Sequence, residues 1–493
     1  MKELKLKNKV LFLLLVGHFF ASAQKKPNVI FIVVDDLRTD LGCYGNTQIK
    51  TPNLDKFASQ SLRFRKAYCQ QAVCGPSRAS MLTGQFPESI NIFDLQHPVR
   101  KYYPNLPTIS SLFKDAGYKT ISVGKVFHNP TDDKENWEYL DSQKPRSMYL
   151  GADTYKNIAS KKEELRKTDP ALADLYRGPT TEGADVADSA YDDFKSVDKA
   201  ISELKKAKDA PFLLCLGIYK PHLPFVAPKK YWDLYNRNGI AKPVKATPAG
   251  ASMFAGIGWK ELEHYADVPD ETKIAEEKAM ELKNGYYACV SFIDEQIGRF
   301  LKEVKNLGLD ENTIIVFTSD HGWKLGEYGL WAKHTNYEVD THVPMMIKTP
   351  EMKIGTVSNS VVQNVDILPT LVDLCKLKVT LMDGVSYAQL TKNPNAKIHD
   401  CAFSQFPREN GVMGYSLTDG NYRYTVWTDW ATKKPIETEL YDHRKTDIAK
   451  INLHGKKEYA AMEAKFAKTL KDLNPHFKNL ANTNEPKPDI IFQ

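Results

Sequence analysis

The sequence predicts an α/β fold in which a mixed, mostly parallel β-sheet is covered by helices on both faces. Four runs of apolar and β-branched residues lack polar alternation, as expected for strands that are buried on both sides. Helix-like segments separate these runs, and such alternation is typical of an open parallel sheet. Beyond about residue 395 the strand-like segments alternate instead, and they are rich in Tyr, Thr, Val and Trp, which predicts a small antiparallel sheet.

The predicted elements follow one another in a regular order. Buried strands are expected at residues 28–34, 120–123, 212–217 and 313–317. Helices are expected at residues 110–116, 185–208 and 276–307. Residues 131–209 are highly charged and irregular, which indicates an insertion that lies on the core and forms walls of a cleft.

The C-terminal part is predicted to fold as a small subdomain. Antiparallel strands are expected at residues 415–417, 422–427 and 439–441, closed by a helix at residues 457–473. We therefore divide the chain after residue 23 into an N-terminal domain of residues 24–395 and a C-terminal subdomain of residues 396–493.

The first 23 residues have the layout of a secretory signal peptide. Four lysines precede an apolar run over residues 10–20, and the small residues 21–23 form a cleavage site. A membrane anchor is the alternative, but the run is shorter than the roughly 20 residues that a span needs. The sequence thus predicts a periplasmic or secreted protein without a membrane span.

Composition limits the classes of partner. The 493 residues carry 67 Lys+Arg against 61 Asp+Glu, a net charge of +6 with interspersed signs, which argues against a nucleic-acid binder. A local basic cleft can still bind a polyanionic substrate. None of the seven cysteines forms a C-x-x-C pair, which argues against a zinc knuckle or a thioredoxin-like site, and Cys215 is expected in the core.

Polar side chains follow the buried strands where each strand ends. Asp35 and Asp36 follow the first strand, and Asp320 and His321 follow the last. In such sheets the reactive groups gather beyond the carboxyl ends of the strands. Three carboxylates and an imidazole would bind one divalent cation, with Ca²⁺ or Mg²⁺ favoured by the oxygen donors. Two helix N-caps would explain the same residues equally well.

Residues 74–84, CGPSRASMLTG, resemble the signature of type I sulfatases, which depend on formylglycine. A buried Cys before a proline turn is the structural alternative. The resemblance covers residues 27–453 and is greatest to the iduronate-2-sulfatase branch, through the stretches PNVIFIVVDDLRTDLGCYG, GKVFH, KPHLPF and SDHGWKLGEYGLWAKH. It implies an alkaline-phosphatase-like fold and a sulfuric ester hydrolase. It also implies that a maturation enzyme oxidises Cys74 to formylglycine, whose hydrate is the nucleophile.

The resemblance implies a role for each matching residue. The ligands of a calcium ion would be Asp35, Asp36, Cys74, Asp320 and His321. The groups that hold the formylglycine hydrate would be Arg78 and Lys125, with His128 beside them. The side chains that face the sulfate ester would be His222 and Lys333.

These roles agree with the chemistry of sulfate esters. A sulfate monoester carries one negative charge over three oxygens, so Ca²⁺ with Arg78, Lys125 and Lys333 would neutralise the transferring group. His222 or Lys333 would protonate the departing sugar oxygen. His128 would then deprotonate the second hydroxyl of the hydrate, which expels sulfate. A thiol or a serine alcohol has no second hydroxyl, so its sulfated intermediate would need a separate hydrolysis.

The branch implies removal of a 2-O-sulfate from an anionic oligosaccharide or polysaccharide, either a glycosaminoglycan or an algal polymer such as ulvan. Trp323 is predicted to stack on the sugar, with a place in the core as the alternative. His334, Arg100 and Lys101 are candidates for contacts with anionic groups of the substrate. Solvation without a partner is the default for an exposed Lys or Arg.

Three positions depart from the family. Gln85 replaces a frequent Arg and is expected to affect the maturation segment or packing rather than chemistry. Tyr328 and His334 differ from iduronate-specific enzymes at places expected near the sugar, so iduronate is not assigned.

Two alternative functions remain open. A phosphatase, phosphodiesterase or phosphonate hydrolase of the same superfamily is one, although most of these carry Ser or Thr where Cys74 stands. A sulfated-glycan-binding protein with an unmodified Cys74 is the other.

Overall fold

The computed structural model describes residues 26–141, 149–256, 260–378, 381–432 and 434–473. The predicted signal peptide lies outside these residues, as does the end of the predicted C-terminal subdomain from residue 474. Within the described ranges, no helix combines the length and the apolar character that a membrane crossing requires.

Strands and helices alternate along most of the chain. The strands are β1 Asn28–Val34, β2 Leu62–Tyr68, β3 Lys119–Gly124, β4 Tyr139–Asp141, β5 Thr181–Glu182, β6 Phe212–Ile218, β7 Phe225–Val226, β8 Thr313–Ser319, β9 Lys324–Leu325, β10 Trp331–Ala332, β11 Met345–Lys348, β12 Thr356–Gln363, β13 Ala402–Arg408, β14 Val412–Thr418, β15 Tyr422–Asp429 and β16 Pro435–Asp442. The α-helices are α1 Pro52–Ala58, α2 Cys74–Thr83, α3 Pro87–Ile90, α4 Val99–Tyr102, α5 Ile109–Asp115, α6 Ala152–Thr168, α7 Pro170–Leu175, α8 Asp192–Ala207, α9 Lys229–Trp232, α10 Glu276–Asn306, α11 Glu338–Thr341, α12 Ile367–Leu374 and α13 Ala460–Leu473.

The large sheet has eight strands in the order β12-β2-β11-β8-β1-β6-β3-β4. All neighbours are parallel except those of β11, which runs antiparallel to β2 and β8. Successive residues of a strand point to opposite faces, so both faces of β1 must be covered. Ile30 and Ile32 belong to one hydrophobic core and Phe31 and Val33 to the other, which explains the unbroken apolar run.

Helices cover the two faces as predicted. The long helix α10 packs on α8 and α1, and α8 packs on β3 and β6, on the side of Ile30. Helices α2, α5 and α12 contribute Met81, Phe113 and Leu371 to the core on the opposite side. This arrangement confirms the predicted α/β class and places the carboxyl ends of β1, β6 and β8 next to one another.

The smaller sheet is antiparallel in the order β13-β14-β15-β16, and α13 closes it, with Tyr424 stacked on Phe466 at 5.7 Å between ring centroids. Strand β13 was not predicted. The predicted helix at residues 185–208 begins only at Asp192, because residues 188–190 form a 3₁₀ turn. The irregular insertion predicted for residues 131–209 was wrong in part, since α8 lies within it and packs in the core.

All seven cysteines are free thiols in the structure, and the predicted core position of Cys215 is confirmed by its burial within β6.

Candidate active site

The strand ends bring together the two pairs of predicted metal ligands. Strands β1 and β8 are parallel neighbours in which Val34 pairs with Ser319, so the residues after them are adjacent. The backbone N–H of Asp36 donates to Asp320 Oδ1 at 3.2 Å. Asp36 has a φ of +59°, a conformation that non-glycine residues rarely adopt and that is found at functional sites. Asp35, Asp36, Asp320 and His321 are all fully buried.

Cys74 is the first residue of α2 and reaches this cluster from the helix N-terminus. Its Sγ lies 3.3 Å from His321 Nε2. One ligand atom from each of Asp35, Cys74, Asp320 and His321 falls within 4.8 Å of the others, and Asp35, Asp36, Cys74 and His222 form a second such set. The five predicted ligands therefore fall into two overlapping sets that share Asp35 and Cys74, and Asp36 Oδ1 lies 3.5 Å from His321 Nε2.

The donor atoms suit a hard divalent cation. His321 Nδ1 lies 3.0 Å from the Gly322 carbonyl oxygen, which accepts its proton. Burial lowers the pKa of His321, so the ring is neutral and the lone pair of Nε2 faces carboxylates. Burial raises the pKa of Asp36, and the nearby charge of Asp35 raises it further against the attraction of Lys333. A cation among these atoms would bind the lone pair of His321 Nε2 and would offset the repulsion between the carboxylates of Asp35 and Asp36. Ca²⁺ accepts such oxygen ligands.

Arg78 holds the carboxylates in place. Its Nε donates to Asp320 Oδ2 at 2.9 Å and its Nη2 to Asp35 Oδ1 at 3.0 Å. Its Nη1 donates to the carbonyl oxygens of Lys125 and Val126. The side chain is fully buried, so Arg78 orients the ligands and the end of β3 rather than facing the solvent.

Lys125 enters the site through a close approach of two glycines. A Cβ on Gly124 would lie 2.0 Å from the Gly217 carbonyl oxygen, so neither strand end tolerates a side chain there. The Lys125 ammonium donates to Asp35 Oδ2 at 2.5 Å. Although burial opposes the charge, Asp35 raises the pKa of Lys125 above its ordinary value.

His128 lies beside Lys125 in the wall of a cavity of about 410 Å³, which His222 also lines. Burial and the positive charge of Lys125 lower the pKa of His128 to about 3, so its ring is neutral. The His128 Nδ1 atom is buried and finds no hydrogen-bond partner among the described residues.

A carboxylate that the sequence did not point to, Glu261, joins Lys333 and His222. The Lys333 ammonium lies 3.1 Å from Glu261 Oε2 and 3.2 Å from Asp36 Oδ1. His222 Nε2 lies 3.6 Å from Glu261 Oε1. Despite burial, Lys333 and His222 lower the pKa of Glu261 to about 2, so it stays ionised. Glu261 begins a 3₁₀ turn without any periodic pattern, and only the fold brings it here.

The predicted stacking role of Trp323 was wrong. Its side chain is fully buried, and the Lys333 ammonium covers its ring at 4.8 Å from the centroid. The predicted sugar contact of His334 was also wrong, because that side chain is 3% exposed and packs against Phe406 of the small sheet.

Arg100 and Lys101, the two basic residues predicted as candidates for contacts with anionic groups of the substrate, lie in different surroundings. Arg100 is engaged by Asp133 at 2.9 Å and by backbone carbonyls, so it is structural. Lys101 is exposed and stacks on Tyr102.

Two of the departures from the family have structural roles. Gln85 Nε2 donates to the Leu381 carbonyl at 2.9 Å, in line with the packing role expected for it. Tyr328 is buried and its hydroxyl accepts from the Ala449 N–H at 2.8 Å, so it does not face a sugar.

Comparison with known proteins identifies the family and the fold. Residues 27–377 match the family model described as Sulfatase, and residues 326–476 match N-sulphoglucosamine sulphohydrolase, C-terminal. Iduronate 2-sulfatase from Homo sapiens is 33% identical over 476 residues, covering 81% of this chain and 84% of that protein. Phosphonate monoester hydrolase from Silicibacter pomeroyi superposes with a TM-score of 0.72 at 20% identity, covering 93% of this chain and 97% of that one. A structure described as a 2-O GAG sulfatase gives 0.68 at 23% identity, covering 94% and 95%. These structures confirm the alkaline-phosphatase-like fold.

Proposed function

Because the chain belongs to the sulfatase family and is a sulfuric ester hydrolase, we propose that it removes sulfate from a carbohydrate by means of a formylglycine at position 74 and a calcium ion. The observation that carries this proposal is the position of Cys74. Its Sγ stands for the oxygen of the modified side chain, and it lies at a helix N-terminus 3.3 Å from His321 Nε2. Helix N-termini favour negatively charged groups such as a sulfate ester.

The charges of the site suit a monoanion. Four buried carboxylates, Asp35, Asp36, Glu261 and Asp320, are opposed by the three cations Arg78, Lys125 and Lys333. A dication and a sulfate monoester together would make this group neutral, whereas a phosphate dianion would leave one uncompensated negative charge. This balance favours a sulfate monoester over a dianionic phosphate monoester, because buried charges are stable only when they are compensated. A phosphodiester or a phosphonate monoester is also a monoanion and would balance these charges equally well.

Asp35, Asp36, Asp320 and His321 would hold Ca²⁺, which would supply positive charge against the oxygens of the sulfate. Formylglycine would supply a hydroxyl nucleophile and a route for release of the bound sulfate.

The protein's own groups would move the protons. Lys333 carries only hydrogen-bond donors, so we assign it to the departing sugar oxygen. The Nδ1 atom of His222 lies 2.8 Å from the Leu223 carbonyl oxygen, which fixes the ring with Nε2 towards Glu261. His222 would then orient the ester beside Lys333. His128, whose ring is neutral, would accept a proton from a hydroxyl in the cavity.

We propose that the substrate is a 2-O-sulfated sugar within an anionic oligosaccharide or polysaccharide, either a glycosaminoglycan or an algal polymer. The similarity to iduronate 2-sulfatase supports this proposal. The wall of the cavity also carries the half-buried aromatic side chain of Tyr219, which suits a sugar ring.

Export to the periplasm or the medium, and activation by a formylglycine-generating enzyme, are part of the proposal. The lysine-rich start and the apolar run at residues 10–20 support export, and the CGPSR motif at Cys74 supports maturation.

Hydrolysis of matched aryl sulfate and aryl phosphate by the matured enzyme would test the reaction. We expect faster sulfate turnover, loss of activity in Cys74→Ala, and retained activity in the control Cys401→Ala, since Cys401 lies outside the site. Faster turnover of the phosphate would favour the phosphatase alternative. An unmodified Cys74 thiol throughout, detected by peptide mass spectrometry of protein from its natural host, would favour a glycan-binding protein.

Oligosaccharides that carry sulfate at a single position would test the regiochemistry, with NMR to locate the sulfate that is lost. Release only from a 6-O or 3-O position would overturn the 2-O assignment and leave the sulfatase reaction intact.

A further inference from the structure

The cavity into which Lys125, His128 and His222 open extends beyond these side chains. Its volume of about 410 Å³ is in the range of small-molecule sites and exceeds what a sulfate group alone would fill. The remaining wall includes Arg177 and Tyr265. Arg177 comes from the charged segment between β4 and α8, which supplies a wall of the cavity.

The Arg177 guanidinium places a positive charge in the wall of this cavity. The side chain is half-buried, and no carboxylate of the described residues forms an ion pair with it. The Arg177 guanidinium lies over the Tyr265 ring at 5.4 Å, and Nη1 makes a long contact of 3.5 Å with the Tyr265 hydroxyl. Five N–H donors are available on this planar group, and within the described ranges only Nη1 has a protein acceptor.

The carboxylates in the same wall are engaged elsewhere. Asp193 accepts from the backbone N–H groups of Tyr219 and Lys220, at 2.8 and 2.9 Å. Asp192 accepts from the Lys195 ammonium at 3.3 Å. Arg177 also borders an adjoining cavity with Asp174 and Glu263, and Glu263 pairs with Lys260 at 3.1 Å. Among the described residues, none of these carboxylates forms an ion pair with Arg177.

Arg177 is also held in a fixed orientation. Its backbone pairs with that of Tyr265 in a parallel bridge, and Tyr265 is 3% exposed. A guanidinium stacked on a fixed aromatic ring is pre-organised, and its paired donors can bind the two oxygens of a carboxylate or sulfate in parallel.

We propose, on the basis of the sulfatase function proposed above, that Arg177 binds a second anionic group of the substrate while the scissile sulfate occupies the site at Cys74. That group is the carboxylate of a uronic acid or a second sulfate on the same oligosaccharide. Arg177 thereby selects sugars with two anionic groups over singly charged sulfated sugars.

The test compares three 2-O-sulfated disaccharides with the matured enzyme: one that contains a uronic acid, its carboxyl-reduced counterpart, and the reduced form with one added sulfate. We expect wild type to prefer the uronate, the added sulfate, or both over the reduced form, and the order of the two identifies the group that Arg177 binds. Hydrogen bonds to charged groups contribute enough that Arg177→Gln should lower kcat/KM for the preferred substrate by about 10- to 100-fold. The preference over the reduced form should then disappear.

Arg177→Lys keeps the charge but loses the paired donors, so we expect part of the preference to remain, which also covers the case in which Arg177→Gln does not fold. Lys162→Gln is the control, since Lys162 lines the adjoining cavity that Arg177 also borders but does not line the cavity of the site. A preference that is the same in wild type, Arg177→Gln and Arg177→Lys would overturn the inference, as would a wild type without preference.

Aryl sulfate turnover by wild type distinguishes failure of the Arg177 inference from failure of the proposed sulfatase function. If wild type hydrolyses aryl sulfate but its preference among the disaccharides is unchanged in the Arg177 variants, only this inference fails. If wild type hydrolyses no sulfate ester, the proposed function fails and the inference fails with it.

Discussion

Replacing Glu261 by Gln should test whether a buried carboxylate orients Lys333. The substitution keeps the shape of the side chain and removes its charge, and Asp36 remains as the partner of Lys333 at 3.2 Å. The pKa of Glu261 falls from 4.5 to about 2 in the folded protein. That difference corresponds to roughly 3 kcal/mol of favourable interaction at neutral pH, since each pKa unit is about 1.4 kcal/mol.

We expect the loss to appear both in stability and in turnover. For a chain of this length an unfolding entropy of about 2 cal/mol/K per residue makes 1 kcal/mol equal to roughly 1 °C, so Tm should fall by about 3 °C. A Lys333 ammonium displaced by as little as about 1 Å should lower kcat by about 100-fold. Differential scanning calorimetry and aryl sulfate turnover measure the two effects.

The pH dependence gives a further signature. A carboxyl whose pKa is lower in the folded state contributes stability above its unfolded pKa and loses it as pH falls through the folded value. The difference in Tm between wild type and Glu261→Gln should therefore be full above pH 4.5 and shrink towards pH 2. Glu277→Gln, an exposed change at the start of α10, is the control. Equal kcat and Tm for wild type and Glu261→Gln at neutral pH would refute the reasoning.

Three further outcomes are expected. Chelation should lower the Tm and Ca²⁺ should restore it, because a cation at 100 times its Kd stabilises by about 2.7 kcal/mol; an unchanged Tm would contradict the metal site. Trp323→Ala should cost about 3–5 kcal/mol of stability while Trp323→Phe keeps the KM for oligosaccharide, since the ring is buried; a raised KM in a stable Trp323→Phe would instead support stacking. Burial opposes protonation of His399, but Asp366 at 2.8 Å raises the pKa of His399 above 6.5. At a pH well below 6.5, His399→Gln should therefore lower the Tm, and this decrease should become smaller as the pH rises through the pKa of the folded state. A decrease in Tm that is independent of pH would exclude this ion pair.

The buried parallel strands could be predicted because their sequences allow few other structures. The run at residues 28–34 has two apolar faces, which neither an exposed strand nor an amphipathic helix would have. The polar residues that follow such strands must then meet at one sheet edge. This reasoning located Asp35, Asp36, Asp320 and His321 without any view of the fold.

Strands with mixed composition escaped the same reasoning. Strand β2 alternates apolar and basic residues in LRFRKAY, and β13 contains Pro407, a residue that usually argues against a paired strand. Both are stabilised by their neighbours in the sheet rather than by a recognisable pattern of their own.

The site residues that were missed or misassigned depend on distances across the fold. Glu261 approaches Lys333 only because the 3₁₀ turn that it begins packs against β10, the strand just before Lys333. Trp323 follows the metal-site residue His321 in sequence, which says nothing about whether its ring points to solvent or into the core. Arg177 lies in the charged segment that was predicted to form walls of a cleft, but no sequence pattern distinguished it from the other basic residues there.

The small sheet forms hydrogen bonds with the loop that carries Lys333. Arg408 of β13 donates to the His334 carbonyl at 2.9 Å, and Asn336 donates to the Gly414 carbonyl of β14 at 3.0 Å. Ala332 and His334, on either side of Lys333, both have positive φ and rely on such support. The C-terminal subdomain therefore supports the loop that positions Lys333, although none of the proposed catalytic groups lies in that subdomain. Proteolytic cleavage or local unfolding of the small sheet would inactivate the enzyme while the N-terminal domain stays folded.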